Sequence, residues 1–221
     1  MSKLIIAIDG PAASGKSSVS KVVAKKLGLS YIDTGAMYRC MTLFTLQNGI
    51  SPADEEAISK LLPECNIIFD GPKCIMNGID VSLAIRQNDV TRHVSQVCAY
   101  KDVREHMVTL QRKMGEIGNV VLDGRDIGTH VFPNADVKIF LNAPVKARAL
   151  RRFLENKEKG INISYDDLVL DLERRDYADS TRAISPLKQA EDAVYLDNSN
   201  LNIEETAEKI IEIIKEKTGG K

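Results

Sequence analysis

The sequence predicts an α/β fold in which a five-stranded parallel sheet is covered by helices on both faces, with a small antiparallel β insert. Two observations support this prediction. Short apolar runs alternate with stretches of helical periodicity along the chain, and this alternation is typical of parallel sheets with helical crossovers. One segment interrupts the alternation with two strong turn signals, which indicates the insert.

The strands are predicted from five short apolar runs, which cover residues 4–8, about 30–33, 119–122, 136–141 and 193–197. After the first run, four apolar residues recur at helical spacing before Gly28, namely Val19, Val22, Val23 and Leu27. The first strand is therefore followed by a helix that ends at a glycine.

The later helices are predicted partly from their ends. Asn142-Ala143-Pro144 places a proline in a first turn, and Ser164-x-x-Asp167 has the spacing of a capping box. Asn202 can cap the last helix. That helix has one apolar face, formed by Ile203, Ala207, Ile210, Ile211 and Ile214.

The insert is predicted between helices, within residues 65–82. Residues 67–82 read IIFDGPKCIMNGIDVS, with turn signals at Asp70-Gly71-Pro72 and Asn77-Gly78. The segment therefore reads as a hairpin on a subdomain that holds a second substrate. Because no repeat or interdomain linker is visible, we expect a single domain over residues 1–221.

Composition excludes several classes of function. The chain has 221 residues, 43% hydrophobic and 28% charged, with a formal net charge of −1, so bulk electrostatics gives it no affinity for nucleic acid polymers or membrane surfaces. No apolar run approaches the roughly 20 residues of a spanning helix, and no targeting segment precedes the first strand. We therefore expect a cytoplasmic protein, and a monomer because no hydrophobic surface stripe stands out.

The cysteines and histidines carry no metal-binding pattern. Cys40, Cys65, Cys74 and Cys98 include no C-x-x-C pair, and the three histidines are scattered. We expect the cysteines to behave as buried small hydrophobic residues in a reducing compartment.

A phosphate-binding loop joins the first strand to the first helix. Residues 7–21 read AIDGPAASGKSSVSK, in which Gly10, Gly15, Lys16 and Ser17 have the spacing G-x-x-x-x-G-K-S. Glycines let successive backbone N–H groups converge on an anion, and the N-terminus of the following helix adds further donors. Lys16 can reach the β- and γ-phosphates, and the Ser17 hydroxyl can bind Mg²⁺.

Other polar residues follow the predicted strands, at the edge where open parallel sheets bind ligands. The second strand ends in IDTGAMYR and the third in LDGRDIG, so Asp33, Asp123, Arg125 and Asp126 are candidates for the site. Taken singly, Asp33 is better explained as a helix cap. Arg125 between two aspartates and two glycines indicates close approach to a ligand.

Phosphoryl transfer needs several convergent cations, and arginines are concentrated in the later helices. A guanine-reading N-K-x-D motif is missing, since residues 156–159 read NKEK. A kinase acting on a small acceptor therefore explains the residues better than a GTPase. The residues alone leave open CMP, UMP, AMP or a small alcohol as the acceptor, and a regulatory nucleotide-binding protein with no acceptor.

Six segments together resemble the bacterial cytidylate kinases, over nearly the whole chain and in the family's order. They are IDGPAASGKSSVSK, DTGAMYR, SQVCAYKDVRE, DGRDIGTHVFPNADVKIFL, RDYADSTRAISPL and LDNSNLNIEE. The resemblance implies a P-loop kinase that transfers the γ-phosphate of ATP to CMP or dCMP, with Mg²⁺ as cofactor.

The resemblance also implies roles for individual residues. The ATP phosphates would be held by Gly10, Pro11, Ala12, Ala13, Ser14, Gly15, Lys16, Ser17 and Ser18. Thr34, Arg39 and Arg125 would hold the CMP phosphate, and Ser95, Arg104 and Asp126 would contact cytosine. Arg175, Asp179 and Arg182 would face the sugar and the transferring phosphate.

The family's architecture implies moving parts. A monophosphate-binding subdomain would cover about residues 34–104, with its β insert at about 65–82, and a lid about residues 148–165. Arg148, Arg151 and Arg152 fall in the lid, and the last two would contact ATP.

The sequence departs from the family at two places. Ser17-Ser18 stands where many relatives have Gly-Thr, which leaves open the serine that binds Mg²⁺, and Ala178 replaces a frequent arginine.

Chemistry supports the assignment of the base independently. A carboxylate such as Asp126 accepts from the N4 amine of cytosine, where uracil presents an acceptor, and Arg104 can donate to the remaining ring acceptors.

Overall fold

A computed structural model describes residues 3–158 and 160–219. The chain divides into two compact units: the first contains the described residues up to Tyr31 and from Gly118 onward, and the second contains Ile32–Ile117.

The first unit contains most of the sheet and four of the described helices. In chain order its elements are β1 (Ile5–Asp9), α1 (Lys16–Leu27), the start of β2 (Ser30–Asp33), β6 (Val120–Gly124), β7 (Val137–Asn142), α6 (Val145–Glu158), α7 (Tyr165–Thr181), β8 (Val194–Asp197) and α8 (Ile203–Thr218). A single turn of π-helix follows β6 at Ile127–Val131.

The elements of the second unit lie between β2 and β6 in sequence. They are α2 (Thr34–Gln47), α3 (Glu55–Leu61), β3 (Ile67–Asp70), β4 (Lys73–Met76), β5 (Ile79–Asp80), α4 (Asn88–Val97) and α5 (Lys101–Gly115), with short 3₁₀ turns at Leu62–Glu64 and Ala84–Arg86.

The main sheet has the predicted five strands, in the order β2-β6-β1-β7-β8. β1 pairs in parallel with β6 on one side and with β7 on the other, and β7 pairs in parallel with β8. Both faces of the central strand are buried, since Ile6, Ala7 and Ile8 have no exposed surface. The continuous apolar run of β1 follows from this burial on both faces. The predicted fold class is confirmed.

One face of the sheet packs against α1 and α8. Ile6 and Ile8 of β1 join Val19 of α1 and Ile210 of α8 in one buried cluster. α1 ends at Gly28 as predicted, because this residue adopts a left-handed conformation with φ 65°. Of the predicted apolar face of α8, Ala207, Ile210 and Ile214 are buried whereas Ile203 is half-exposed.

Two predicted helix starts differ in detail from the structure. Ser164 accepts from the backbone N–H of Asp167, but its hydroxyl then donates to the Asp167 carboxylate (2.6 Å), so the pair is not the reciprocal capping box that its spacing predicts. Aspartate is one methylene shorter than the glutamate usual at this position. Pro144 precedes α6, and its carbonyl accepts the first helical bond, from the N–H of Arg148. The cap of α8 is as predicted, and Asn202 and Glu205 form a full capping box.

The insert of the second unit is a small antiparallel sheet with the strand order β3-β4-β5. The first predicted turn, Asp70-Gly71-Pro72, joins β3 to β4, and the second, at Asn77-Gly78, joins β4 to β5. The sequence pattern predicts a single hairpin, whereas the structure has a third strand, which is only two residues long. Cys40, Cys65 and Cys74 are buried and Cys98 is partly buried, all as free thiols.

Two further observations concern the predicted lid and the composition of the helices. Within residues 148–165, the structure describes all but residue 159, which lies outside the described residues. Across residues 3–158 and 160–219, no helix combines the length and the apolar composition that crossing a membrane requires.

Candidate functional site

The phosphate loop leaves the sheet at the carboxyl end of β1 and turns into α1. Its backbone is very close to β7, since a Cβ added to Gly10 would lie 2.0 Å from the Leu141 carbonyl oxygen. Gly15 precedes α1 with a φ of 86°, and Ala13 also has a positive φ, of 57°. The loop therefore has the left-handed residues and side-chain-free approach that a backbone cradle for an anion requires.

Lys16 folds back across this loop. Its ammonium donates to the Pro11 carbonyl at 2.8 Å, and the residue is only 5% exposed. Burial, together with the positive charge of Arg125, lowers the pKa of Lys16 to about 7, against the opposing effect of Asp123 and Asp179. An anion placed beside the ammonium would favour its charged form, so the site is electrostatically suited to a phosphate.

Ser17 meets an aspartate from the neighbouring strand. Its hydroxyl donates to one carboxylate oxygen of Asp123 at 2.7 Å, and the Tyr31 hydroxyl donates to the other, also at 2.7 Å. A loop serine paired with a strand-end aspartate is the oxygen set with which phosphate-loop proteins hold Mg²⁺. The residues thus fit the magnesium ion that the sequence predicted, whereas Ser18 is exposed.

Asp123 is a functional candidate to which the sequence analysis gave no metal role. The available signal was an apolar run, VVL, that ends in aspartate at the edge of the sheet. Throughout the part of the chain that the structure describes, no three His, Cys, Asp or Glu side chains gather into a metal cage. A Mg²⁺ ion here would have one or two protein ligands, and phosphate oxygens and water would complete its shell.

A charged network connects the β6 end to α7. The Arg125 Nε donates to Asp179 at 2.8 Å, and Arg182 lies 3.6 Å from the same carboxylate and 3.5 Å from that of Asp126. Burial alone would raise the pKa of Asp179, but Arg125 and Arg182 outweigh it and hold this pKa below its ordinary value. The sequence prediction that these residues share a site is therefore consistent with the geometry of this unit.

A second aspartate, Asp9, shapes the segment that carries this network. Its two carboxylate oxygens accept from the backbone N–H groups of Ile127 and Gly128, at 2.9 and 2.8 Å. Burial raises the pKa of Asp9 to about 6 even though these two bonds favour its charged form. Asp9 was not among the residues predicted from the sequence, where its only signal is its position at the end of an apolar strand.

The remaining arginines of the first unit differ in burial. Arg151 donates to the backbone carbonyls of Asn198 and Ser199 beyond β8, whereas Arg152 is half-exposed beside Glu155. Arg175 is partly buried, and burial together with the charge of Arg125 lowers its pKa. Ala178 is exposed.

Four of the residues predicted for the acceptor lie in the second unit, whereas Arg125 and Asp126 lie in the first. Thr34 is the first residue of α2, whose start is capped by Asp33, as the sequence analysis expected of this aspartate. Arg39 donates to the Thr91 hydroxyl at 2.9 Å. The second unit also contains Ser95, which is partly buried on α4, and Arg104 on α5.

Arg104, on α5, is deeply buried. It is 1% exposed, donates to the Cys98 carbonyl and stacks over the Tyr38 ring at 5.3 Å from its centroid. The Cys98 carbonyl and the Tyr38 ring thus lie against the guanidinium in the interior of this unit.

The sheet order, the loop after β1 and the serine–aspartate pair together define a phosphate-loop kinase fold. Solved structures support this class. The crystal structure of shikimate kinase from Bacteroides thetaiotaomicron matches with a TM-score of 0.51 and 15% identity, over 97% of this chain and 99% of that one. At this identity the likeness concerns the fold alone.

Sequence relatives identify the family. The sequence profile of the cytidylate kinase family matches residues 6–216. Cytidylate kinases from Bacillus subtilis and Enterococcus faecalis are 50% and 52% identical to this chain, in each case over 98% of both chains. That of Lactobacillus gasseri is 54% identical over 96% of this chain and 94% of its own. The chain belongs to the cytidylate kinase family, which confirms the resemblance found in the sequence.

Proposed function

We propose that the protein transfers the γ-phosphate of ATP to CMP or dCMP, producing ADP and CDP or dCDP. Membership of the cytidylate kinase family supports ATP-dependent phosphorylation of these acceptors. One observation carries the proposal. Lys16 and the hydrogen-bonded pair of Ser17 and Asp123 lie near the Arg125–Asp179 ion pair, and all five residues belong to the first unit.

The phosphate loop, Gly10 to Ser18, holds the phosphates of ATP. Its backbone N–H groups and the start of α1 provide donors, and Lys16 leaves the Pro11 carbonyl to contact the β- and γ-phosphates. Arg151 and Arg152, on α6, contribute from the side of the predicted lid.

The Ser17 hydroxyl and the Asp123 carboxylate would hold Mg²⁺. Tyr31 orients that carboxylate by donating to one of its oxygens. When bound, the ion neutralises charge on the phosphates. Ser17 is favoured over Ser18 because the Ser17 hydroxyl contacts the aspartate.

Arginines stabilise the transferring phosphoryl group. Its charge is spread over three oxygens, and the planar guanidinium forks of Arg125, Arg175 and Arg182 match such oxygens bidentately. Asp179 holds Arg125 and Arg182 in place before substrate binds, so little reorganisation is needed at the moment of transfer.

The acceptor is held by Thr34, Arg39 and Arg125 at its phosphate and by Ser95, Arg104 and Asp126 at cytosine. Asp126 accepts from the N4 amine, and its carboxylate repels the O4 acceptor of uracil. Residues 34–104 form the monophosphate-binding subdomain and residues 148–165 the lid that excludes water during transfer. Small nucleotides are the only partners proposed, and the monomeric state and cytoplasmic location remain predictions from the sequence.

The first test is ADP release with a panel of acceptors, measured in a coupled assay with MgATP. We expect CMP and dCMP to stimulate ADP release strongly, and slow hydrolysis without an acceptor. Preferential stimulation by UMP, AMP or a small alcohol would contradict the proposed substrate, and no stimulation by any acceptor would point to a regulatory nucleotide-binding protein.

The second test concerns recognition of the base. Asp126→Asn can present either a donor or an acceptor, so the ratio of kcat/KM for CMP to that for UMP should fall. CMP should lose roughly tenfold to a hundredfold, since a charged hydrogen bond contributes about 1.5–3 kcal/mol. Asp70→Asn, at the exposed end of β3, is the matched control. Equal losses on both substrates would assign Asp126 to phosphate chemistry.

A further inference from the structure

Two side chains from different helices hold both backbone polar groups of Ala12, in the middle of the phosphate loop. The Ala12 N–H donates to Asp176 on α7 at 3.2 Å, and the Ala12 carbonyl accepts from Arg148 on α6 at 2.8 Å. Arg148 and Asp176 also pair directly, with a nitrogen–oxygen distance of 2.6 Å. The three residues form a closed ring of hydrogen bonds, which we name the Ala12 clamp.

All three nitrogens of the Arg148 guanidinium have hydrogen-bond partners. Its Nε donates to the Ala143 carbonyl at 2.7 Å, while its two terminal nitrogens bind Ala12 and Asp176. The side chain is only 6% exposed. The family resemblance places Arg148 with the arginines of a mobile lid, but in the structure its guanidinium is engaged at all three nitrogens.

The clamp determines the direction of two peptide units. The Pro11 carbonyl and the Ala12 N–H belong to one unit, whose ends are held by Lys16 and Asp176. The Ala12 carbonyl and the Ala13 N–H belong to the next unit. No described peptide bond is cis, so a carbonyl held by Arg148 makes the Ala13 N–H point the opposite way.

This arrangement accounts for the unusual backbone of the loop. Ala13 has a φ of 57°, a left-handed conformation that is unfavourable for an alanine and persists only where its surroundings hold it. The clamp holds the peptide directly before Ala13. A loop whose N–H groups already have their bound directions binds phosphate without first being ordered.

We propose that Arg148 and Asp176 are positioning residues for phosphoryl transfer, which preorganise the phosphate loop for ATP and fasten it to α6 and α7. This inference rests on the proposed function, because it assumes that the loop binds ATP. The clamp affects nucleotide binding through Ala12 and Lys16 and leaves recognition of the acceptor unchanged.

The test compares how a substitution in the clamp changes the kinetics for ATP with how it changes the kinetics for CMP. For Arg148→Met we expect kcat/KM for ATP to fall roughly tenfold or more. KM for CMP at saturating ATP should change by less than about twofold. Arg174→Met is the matched control, because Arg174 is on α7 and pairs with Asp171 in an exposed position. Equal losses for ATP and CMP would overturn the inference.

A second variant separates positioning from folding. A cavity of about 220 Å³, lined in part by Pro11, Arg148, Asp176 and Leu187, borders the clamp, so water can reach the freed peptide groups in a variant. Arg148→Met combined with Asp176→Leu removes both charges and so avoids an unpaired buried ion. We expect this double variant to regain thermal stability relative to Arg148→Met while its kcat/KM for ATP stays low. Recovery of ATP kinetics together with stability would show a purely structural role.

Direct binding makes the two proposals distinguishable. Calorimetry with ADP, without an acceptor, should show at least about tenfold weaker binding to Arg148→Met than to the wild type. If the wild type phosphorylates CMP and the variant binds ADP normally, the inference about the Ala12 clamp is wrong and the proposed function stands. A wild type that binds ADP but phosphorylates no acceptor would refute the proposed function alone.

Discussion

Two regions of the first unit use buried residues in different ways. The phosphate end is defined here by Asp9, Lys16, Asp123, Arg125 and Asp179, whose charged side chains are buried except for that of Arg125, which is partly exposed. At the α1–α8 face, defined by the cluster of Ile6, Ile8, Val19, Ala207, Ile210 and Ile214, the buried side chains are apolar.

The difference separates activity from stability. Burying a charge is unfavourable unless it is paired, and the paired charges of the phosphate end contribute little net stability. Apolar burial at the α1–α8 face stabilises the fold by about 25 cal/mol per Å². Changes at the phosphate end should therefore act mainly on catalysis, except at Asp9, whose raised pKa also makes stability depend on pH. Changes at the α1–α8 face should alter unfolding.

The largest effect is expected from Lys16→Ala. Loss of the ammonium removes stabilisation of charge on the phosphates, so kcat/KM should fall by about a hundredfold or more, corresponding to roughly 3 kcal/mol. Lys25→Ala, on the exposed side of the same helix, is the control and should retain activity. Steady-state kinetics on folded protein measure both. Near-normal turnover in Lys16→Ala would remove the assignment of the phosphate loop.

The opposite pattern is expected from Ile210→Ala at the α1–α8 face. Ile210 has no exposed surface, so its truncation leaves a cavity and should lower the free energy of unfolding by roughly 2–5 kcal/mol. KM values should be unchanged. Ile203→Ala, at the half-exposed start of the same helix, should cost far less. Denaturant unfolding measures the pair, and equal losses would mean that Ile210 is not part of the core.

A pH-dependent stability is expected from Asp9. Its pKa is raised by burial from 3.8 to about 6, so between these values the folded protein holds a proton that the unfolded chain has released. The stability from this group is fully present below pH 3.8 and is lost as the pH rises through about 6. At about 1.4 kcal/mol per pKa unit, the loss is roughly 2–3 kcal/mol.

Asp9→Asn removes this titration. The unfolding free energy of the wild type minus that of the variant should therefore decrease between about pH 4 and pH 7. Denaturant melts at several pH values measure the slope. A difference that is independent of pH would mean that Asp9 does not have a raised pKa.

The smallest effect is expected from Asn202→Ala. Asn202 accepts from the Glu205 N–H at 2.9 Å and caps α8, which packs at the α1–α8 face. Its loss should cost about 1 kcal/mol of unfolding free energy without a change in kcat. Asn200→Ala, which is exposed just before the helix, is the control. A change in ATP kinetics would show that the two regions are not independent.

Local sequence determined much of the fold. The spacing of apolar residues predicts the five strands and α1, because periodicity decides which faces can be buried. Gly28 and Asn202 end and begin helices as predicted, since both act through their own backbone and nearby bonds. The phosphate loop was recognisable because its chemistry depends on contiguous residues. The failed capping box at Ser164 depended on side-chain length, which spacing alone does not show.

Only the tertiary structure decided how distant charges pair. Asp123 binds Ser17 across 106 positions of sequence, and Asp176 binds Ala12 across 164. Such pairs depend on which strands and helices become neighbours, and the sheet order β2-β6-β1-β7-β8 brings together segments that are remote in sequence. By itself the sequence determined the loop, the strands and the family. The partners of Asp9, Asp123, Arg148 and Asp176 depended on packing, because the residues next to a charged side chain in sequence do not show which distant group will pair with it.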